Sequence, residues 1–208
     1  MLSVREICAR APMIPVLVLD DAADAGALAQ ALVGGGLPVL EVTLRTPAAL
    51  DVIREMRRAV PEAVVGAGTL RTPADLAASI EAGAQFGVSP GGPARLLDAV
   101  AEAGLPFLPG AATPTEAMDL ADRGFETLKF FPAEPLGGTA TLSAWASPLA
   151  GLGFCPTGGI TAADAPGYLA LPNVLTVGGS WVTPKDLVAT RNWAAIGDLA
   201  RAAVRLLA

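Results

Sequence analysis

The sequence predicts an α/β protein: a (β/α)8 (TIM) barrel of parallel strands with a short N-terminal helix in front of it. Three observations lead there. Short apolar runs alternate with helix-forming segments eight times, and strict βα alternation calls for a parallel sheet. The 208 residues match a minimal closed barrel forming one domain over residues 1–208, with no long linker. The composition is 52% hydrophobic but only 5% aromatic, so Ala, Val and Leu must fill a large core. A doubly wound open sheet is the alternative, weakened by the lack of a G-x-G-x-x-G after the first strand.

The elements follow in order. Ser3–Arg10 reads as the leading helix, and the unbroken apolar run Ile14–Leu19 as a buried parallel strand. Asp21–Val33 is helical, capped by Asp20 or Asp21 and stopped by three glycines. Val39–Leu44 is the second strand; Thr46 then caps a helix with Pro47 at its first position, ending near Ala59. Ala63–Gly66 is the third strand, and Thr72-Pro73 opens a helix to Ala82. Phe86–Val88 is followed by the helix Pro93–Ala103, and Pro106–Leu108 by a helix opening at Thr113-Pro114 with Glu116 completing a capping box. Thr127–Phe131 is the sixth strand, with a helix in Gly138–Trp145. Gly153–Pro156 precedes the helix Thr161–Leu169, and Val174–Val177 precedes a helical tail from Pro184 to Ala208, in one or two pieces.

Several function classes are excluded. A net charge of −6 without a basic run argues against nucleic acid as a partner. There is no histidine, which removes His-based triads and bases and most transition-metal sites, so no metal is expected. Cys8 and Cys155 lie far apart in sequence and suit reduced thiols in a cytoplasmic protein. No segment reads as a signal peptide. The uncharged stretch 135–163 contains three prolines and six glycines, so it reads as turns and short elements rather than a membrane span.

The chemistry collects at the C-terminal ends of the strands, where such barrels place their sites. Lys129, one of only two lysines, stands in the sixth strand among Leu128, Phe130 and Phe131. Poor solvation there disfavours its charged form, and a neutral amine attacks carbonyls; snorkelling to water is the ordinary alternative. Glu41 lies between Leu40 and Val42 in the second strand. Alternate strands fill one interior layer, so a residue of strand two can face one of strand six. A carboxyl beside a nucleophilic amine can shuttle protons; otherwise it partners a structural cation. Arg45 at the strand mouth suits a carboxylate or phosphate, or is simply a surface arginine. Gly158-Gly159 and Gly179-Ser180 follow strands seven and eight, whose loops form the common phosphate site of this architecture. Glycine pairs also merely make turns.

Glu41-Val42-Thr43-Leu44-Arg45-Thr46, Gly66-Ala67-Gly68-Thr69, Lys129-Phe130-Phe131-Pro132-Ala133-Glu134, Cys155-Pro156-Thr157-Gly158-Gly159-Ile160 and Gly178-Gly179-Ser180-Trp181 resemble, in order and spacing, the motifs of the 2-keto-3-deoxy-6-phosphogluconate (KDPG) and 4-hydroxy-2-oxoglutarate aldolase family. The resemblance covers Pro12 to Arg205. It implies a class I aldolase on a (β/α)8 barrel, usually a homotrimer, without metal or cofactor. Such an enzyme splits KDPG into pyruvate and glyceraldehyde 3-phosphate in the Entner-Doudoroff pathway. On this chain it makes Lys129 the Schiff-base lysine and Glu41 the general acid/base. Arg45, Thr69, Pro90 and Phe131 fall around the pyruvyl group. Thr157 falls near the substrate hydroxyls, and Gly158, Gly159, Gly179 and Ser180 near the phosphate. Thr157 resembles the gluconate type, the galactonate type tending to carry valine there.

Two other readings stand beside it. A phosphosugar isomerase would use Glu41 as base and Lys129 as electrostatic partner, with no covalent imine. A non-catalytic phosphometabolite-binding barrel would not need the lysine–glutamate pair.

Overall fold

The computed structural model describes residues 2–205. Helix α1 (Val4–Cys8) leads, closed by a reciprocal capping box between Ser3 and Glu6. Strands β1 (Met13–Leu17), β2 (Val39–Thr43), β3 (Val64–Gly68), β4 (Gly87–Val88) and β5 (Phe107–Leu108) pair in parallel, with β9 (Val177–Gly179) on the far side of β1. Strands β6 (Gly110–Ala111), β7 (Thr127–Phe130) and β8 (Gly153–Pro156) form a second parallel sheet. The connecting helices are α2 (Ala25–Gly34), α3 (Ala49–Ala59), α4 (Pro73–Glu81), α5 (Ala94–Ala103), α6 (Pro114–Asp122), α7 (Gly138–Trp145) and α8 (Ala165–Leu169), with α9 (Lys185–Ala189) and α10 (Trp193–Val204) closing the chain. Among the described residues, no helix is long and apolar enough to cross a membrane.

The expected order of elements is observed, with local corrections. The fifth strand is two pieces. Pro109 has no N–H to give a ladder, and the chain passes there from one sheet to the other. Phe107–Leu108 pairs with β4, Gly110–Ala111 pairs with β7, and the Pro109 carbonyl accepts from Lys129 N at 2.9 Å. Thr46 does not cap a helix, because its hydroxyl donates to Leu19 O at 2.6 Å; α3 begins only at Ala49, with no side-chain cap. Asp21 caps a 3-10 turn, Ala22–Asp24, ahead of α2. The helix expected from Thr161 is α8, starting at Ala165, since Thr161 bonds Asp164 in the turn before it. The last strand starts at Val177 rather than Val174. The tail is helical in two pieces, and residues 206–208 of that expectation lie outside the described residues. The boxes at Thr72/Asp75 and Thr113/Glu116 form, with proline inside each first turn.

Alternation along the strands divides the core. Leu40 and Val42, Val65 and Ala67, Leu128 and Phe130 join a large cluster with the helices. The opposite face carries Ile14, Val39, Val64, Phe86, Val88, Leu108 and Cys155, with Ile7 and Cys8 of α1 packed among them. Val39 and Val64 are the first residues of their strands, so α1 seals the N-terminal end of this inner face. Phe86 fits because Gly66 has no side chain: a Cβ there would overlap its ring. Gly66→Ala should therefore destabilise the protein by about 1–3 kcal/mol. Phe86→Leu should be less harmful in that background than in the wild type, as urea unfolding of the four proteins would show. Additive losses would mean the two residues do not share this space.

Candidate active site

Glu41 and Lys129 belong to the inner face by parity. Glu41 stands two residues after Val39, and Lys129 lies between two residues of the outer cluster. In register, Glu41 lies beside Val16 and Gly66, and Lys129 between Gly110 and Cys155. The two side chains meet: Lys129 Nζ donates to Glu41 Oε1 at 3.2 Å, with the side chains only 7% and 4% exposed. Gly68 leaves the carboxylate its room, since a Cβ there would overlap Oε1. The Phe131 ring lies 5.4 Å from Nζ, within reach of a cation–π contact.

Cys155 is the other nucleophile nearby. Burial pushes its thiol up to about 12, with Lys129 pulling against it. Burial also holds the Cys8 thiol well above its ordinary value. Both are free and neutral near pH 7, so neither competes with the amine.

The remaining expected residues differ in exposure and partners. Arg45 is exposed; its Nε donates to Thr43 Oγ1 at 3.0 Å, and that hydroxyl donates to Leu17 O at 2.8 Å. Thr43 is buried and steadies both Arg45 and the end of β1, a role its place after Val42 did not reveal. Thr69 holds a φ of +63°, a conformation costly for a threonine and common at functional sites. Pro90 is exposed after the buried Ser89, whose hydroxyl donates to Gly91 O at 2.6 Å. Thr157 is buried, and Gly178 yields space to its hydroxyl. Gly158 and Gly159 have φ of +105° and +84°, and Gly158 packs against the Phe131 ring. Gly179 faces the Trp181 ring, while Ser180 is exposed and its carbonyl accepts from Thr183 N. The lysine, the carboxylate, Phe131 and Gly158 are thus joined by direct contacts. Arg45 follows the end of β2, the strand that carries Glu41, and Thr69, Pro90 and Ser180 follow the ends of β3, β4 and β9.

This is an α/β protein with a desolvated amine–carboxylate pair at the heart of parallel strands. Residues 4–199 match the family described as KDPG and KHG aldolase, and the chain belongs to that family. It is 48% identical to the KHG/KDPG aldolase of Escherichia coli (strain K12) over 97% of this chain and 95% of that protein. It superposes on a KDPG aldolase from Legionella pneumophila, in which pyruvate was captured as a covalent carbinolamine, with TM-score 0.94, 40% identity and coverage of 96% and 97%. The KDPG aldolase of Zymomonas mobilis ZM4 with 3-phosphoglycerate superposes with TM-score 0.90, 47% identity and coverage of 96% and 94%.

Removing one member of the pair leaves the other buried and unpaired. Lys129→Met should cost about 3–5 kcal/mol of stability. Adding Glu41→Gln should restore part of that in urea denaturation. A stability unchanged by Lys129→Met would show the pair to be better solvated than its burial indicates.

Proposed function

We propose that this chain is a class I aldolase that cleaves KDPG to pyruvate and glyceraldehyde 3-phosphate through a Schiff base on Lys129. The observation that carries the reading is the buried Lys129–Glu41 contact at 3.2 Å. The Legionella relative supports the covalent step, since its pyruvate was held as a carbinolamine.

The steps follow from those two groups. The Lys129 amine adds to the C2 carbonyl, and the carbinolamine loses water to give an iminium. That cation accepts the electron pair of the C3–C4 bond as it breaks. Glu41, directly or through one water, takes the C4 hydroxyl proton, and the C4 carbon leaves as the aldehyde. The enamine is then protonated at C3, and water releases pyruvate and the free amine. Phe131 covers one side of Nζ. Arg45 and Thr69, with Pro90, are assigned to the pyruvyl carboxylate end, Thr157 to the hydroxyls, and Gly158, Gly159, Gly179 and Ser180 to the phosphate. Positive-φ glycines bring backbone N–H groups close to such an anion. The Zymomonas relative, with its 3-phosphoglycerate, supports a phosphate ligand.

The finer architecture is part of the same proposal: one domain over 1–208, its two sheets the two arcs of a (β/α)8 barrel. The isolated parallel bridges Phe154↔Val174 and Thr157↔Gly178 support closure on one side, and the handover at Pro109 supports it on the other. A homotrimer is inferred from the family resemblance, and a cytoplasmic location from the two free cysteines, Cys8 and Cys155.

Pyruvate with borohydride should add one adduct, mapped by mass spectrometry to Lys129 and abolished by Lys129→Ala. Absence of an adduct would favour the isomerase reading, and an adduct on Lys185 would misplace the nucleophile.

The second expectation concerns the galactonate epimer, the main alternative substrate. A buried Thr157 hydroxyl left unmatched discriminates strongly. KDPG should have the higher kcat/KM, and Thr157→Val should narrow the ratio. A wild-type preference for the galactonate compound, seen in competition assays, would reassign the substrate.

A further inference from the structure

Tyr168 is the only tyrosine of the chain. Its residue is fully buried in α8, the helix that follows the Gly158-Gly159 loop, and its hydroxyl donates to Glu134 Oε1. Glu134 lies three residues past Phe131, where the chain leaves β7. From there the backbone runs beside the glycine loop: Ala133 N donates to Thr157 O at 2.8 Å and Glu134 N to Gly158 O at 3.0 Å. The loop leans on the same side chain, since a Cβ on Gly159 would stand 2.8 Å from Glu134 Cβ. From the other side Gly138, at φ +57°, also gives way: a Cβ there would stand 2.8 Å from the Tyr168 hydroxyl and 3.2 Å from Glu134 Oε1. Two glycines thus concede space to one tyrosine–carboxylate contact. Burial, and then the bond to Glu134, push the phenol well above its ordinary range, so it stays a donor at all working pH.

A carboxylate beside a loop assigned to a phosphate is a puzzle, because like charges repel. The bond to a buried tyrosine resolves it if the carboxylate serves as an anchor. The geometry points to Tyr168 and Glu134 as positioning residues: they fix the Gly158-Gly159 loop relative to the strand that carries Lys129. The span between the imine and the phosphate then depends on this contact. The pair touches no reacting atom; its effect falls on substrates that must reach both ends of the site. The inference rests on the aldolase reading above.

The test compares wild type, Tyr168→Phe, Glu134→Ala and Glu134→Gln. Tyr168→Phe keeps the ring and loses only the donor. A hydrogen bond to a charged group carries enough free energy for a roughly tenfold effect. The KM for KDPG should rise about tenfold with kcat within about twofold. The pyruvate concentration that half-saturates borohydride trapping on Lys129 should not move, because pyruvate carries no phosphate. Glu134→Ala should behave alike, and Glu134→Gln, which still accepts from the phenol, should keep the wild-type KM or lower it. An unmoved KM in Tyr168→Phe, with trapping intact, would overturn this inference alone. A parallel loss of pyruvate trapping would reduce the contact to general packing and also overturn it. Failure of the wild type itself to trap pyruvate would remove the aldolase reading, and this inference with it.

Discussion

A lysine and a glutamate, both almost without solvent, face each other at 3.2 Å, and the rest of the molecule is arranged to tolerate them. Each charge loses several kcal/mol of hydration on burial, which only close geometry and satisfied partners recover. A rigid frame is therefore required. Parallel strands provide it, because every strand's inward residue has a set height and the neighbouring registers hold it there. The inner face is graded along that axis. At its N-terminal end α1 inserts Ile7 and Cys8 among apolar side chains and closes the interior. One step higher come the charged pair, then the glycines and hydroxyls of the loops. The apolar cluster at the N-terminal end packs against the side from which α1 approaches.

Glycine is the second constraint, acting through the first. Gly68 admits the Glu41 carboxylate, Gly66 admits Phe86, and Gly178 admits the Thr157 hydroxyl. These are volume arguments, distinct from the positive φ of Gly158 and Gly159. The distinction matters for the end of the site proposed to take the phosphate. Between Lys129 and Lys185 the sequence has no basic residue at all, and the protein carries a net charge of −6. An anion bound there cannot rely on a nearby arginine or lysine supplied by that stretch. Under the proposed assignment the positive-φ glycines Gly158 and Gly159 meet the phosphate with backbone N–H groups, which are useful only when held in one arrangement. That requirement gives weight to whatever anchors the loop.

The sequence disclosed the fold through alternation, and the site through incongruity. Lys129 and Glu41 were readable because each is a lone charge in an apolar strand, and their meeting followed from strand parity. Arg45 and the glycine pairs were readable as positions at strand ends, though not as contacts. Other features were hidden for physical reasons. Thr46-Pro47 has the local signature of a helix start, but a longer-range bond to Leu19 O takes the hydroxyl. Pro109 looked like a strand end, and only the pairing of both neighbours shows it to be a handover between sheets. Tyr168 meets Glu134 across 34 residues, and no periodicity announces such a contact. Being the only tyrosine in the chain was its one signal.

The two ends of the site are thus stabilised in different ways. The amine–carboxylate end is held by strand register and steric fit. The glycine end is held by a few hydrogen bonds from the segment after β7 and by one side-chain contact to α8. Covalent chemistry needs the reacting groups within a few tenths of an ångström, so its residues belong on strands. Recognition of a distal group tolerates more movement and benefits from loops that can be altered without disturbing the chemistry. Under the proposed assignment of Thr157 and the glycine loops to the distal part of the substrate, changes in its length or stereochemistry arise there. The Lys129–Glu41 pair can remain untouched.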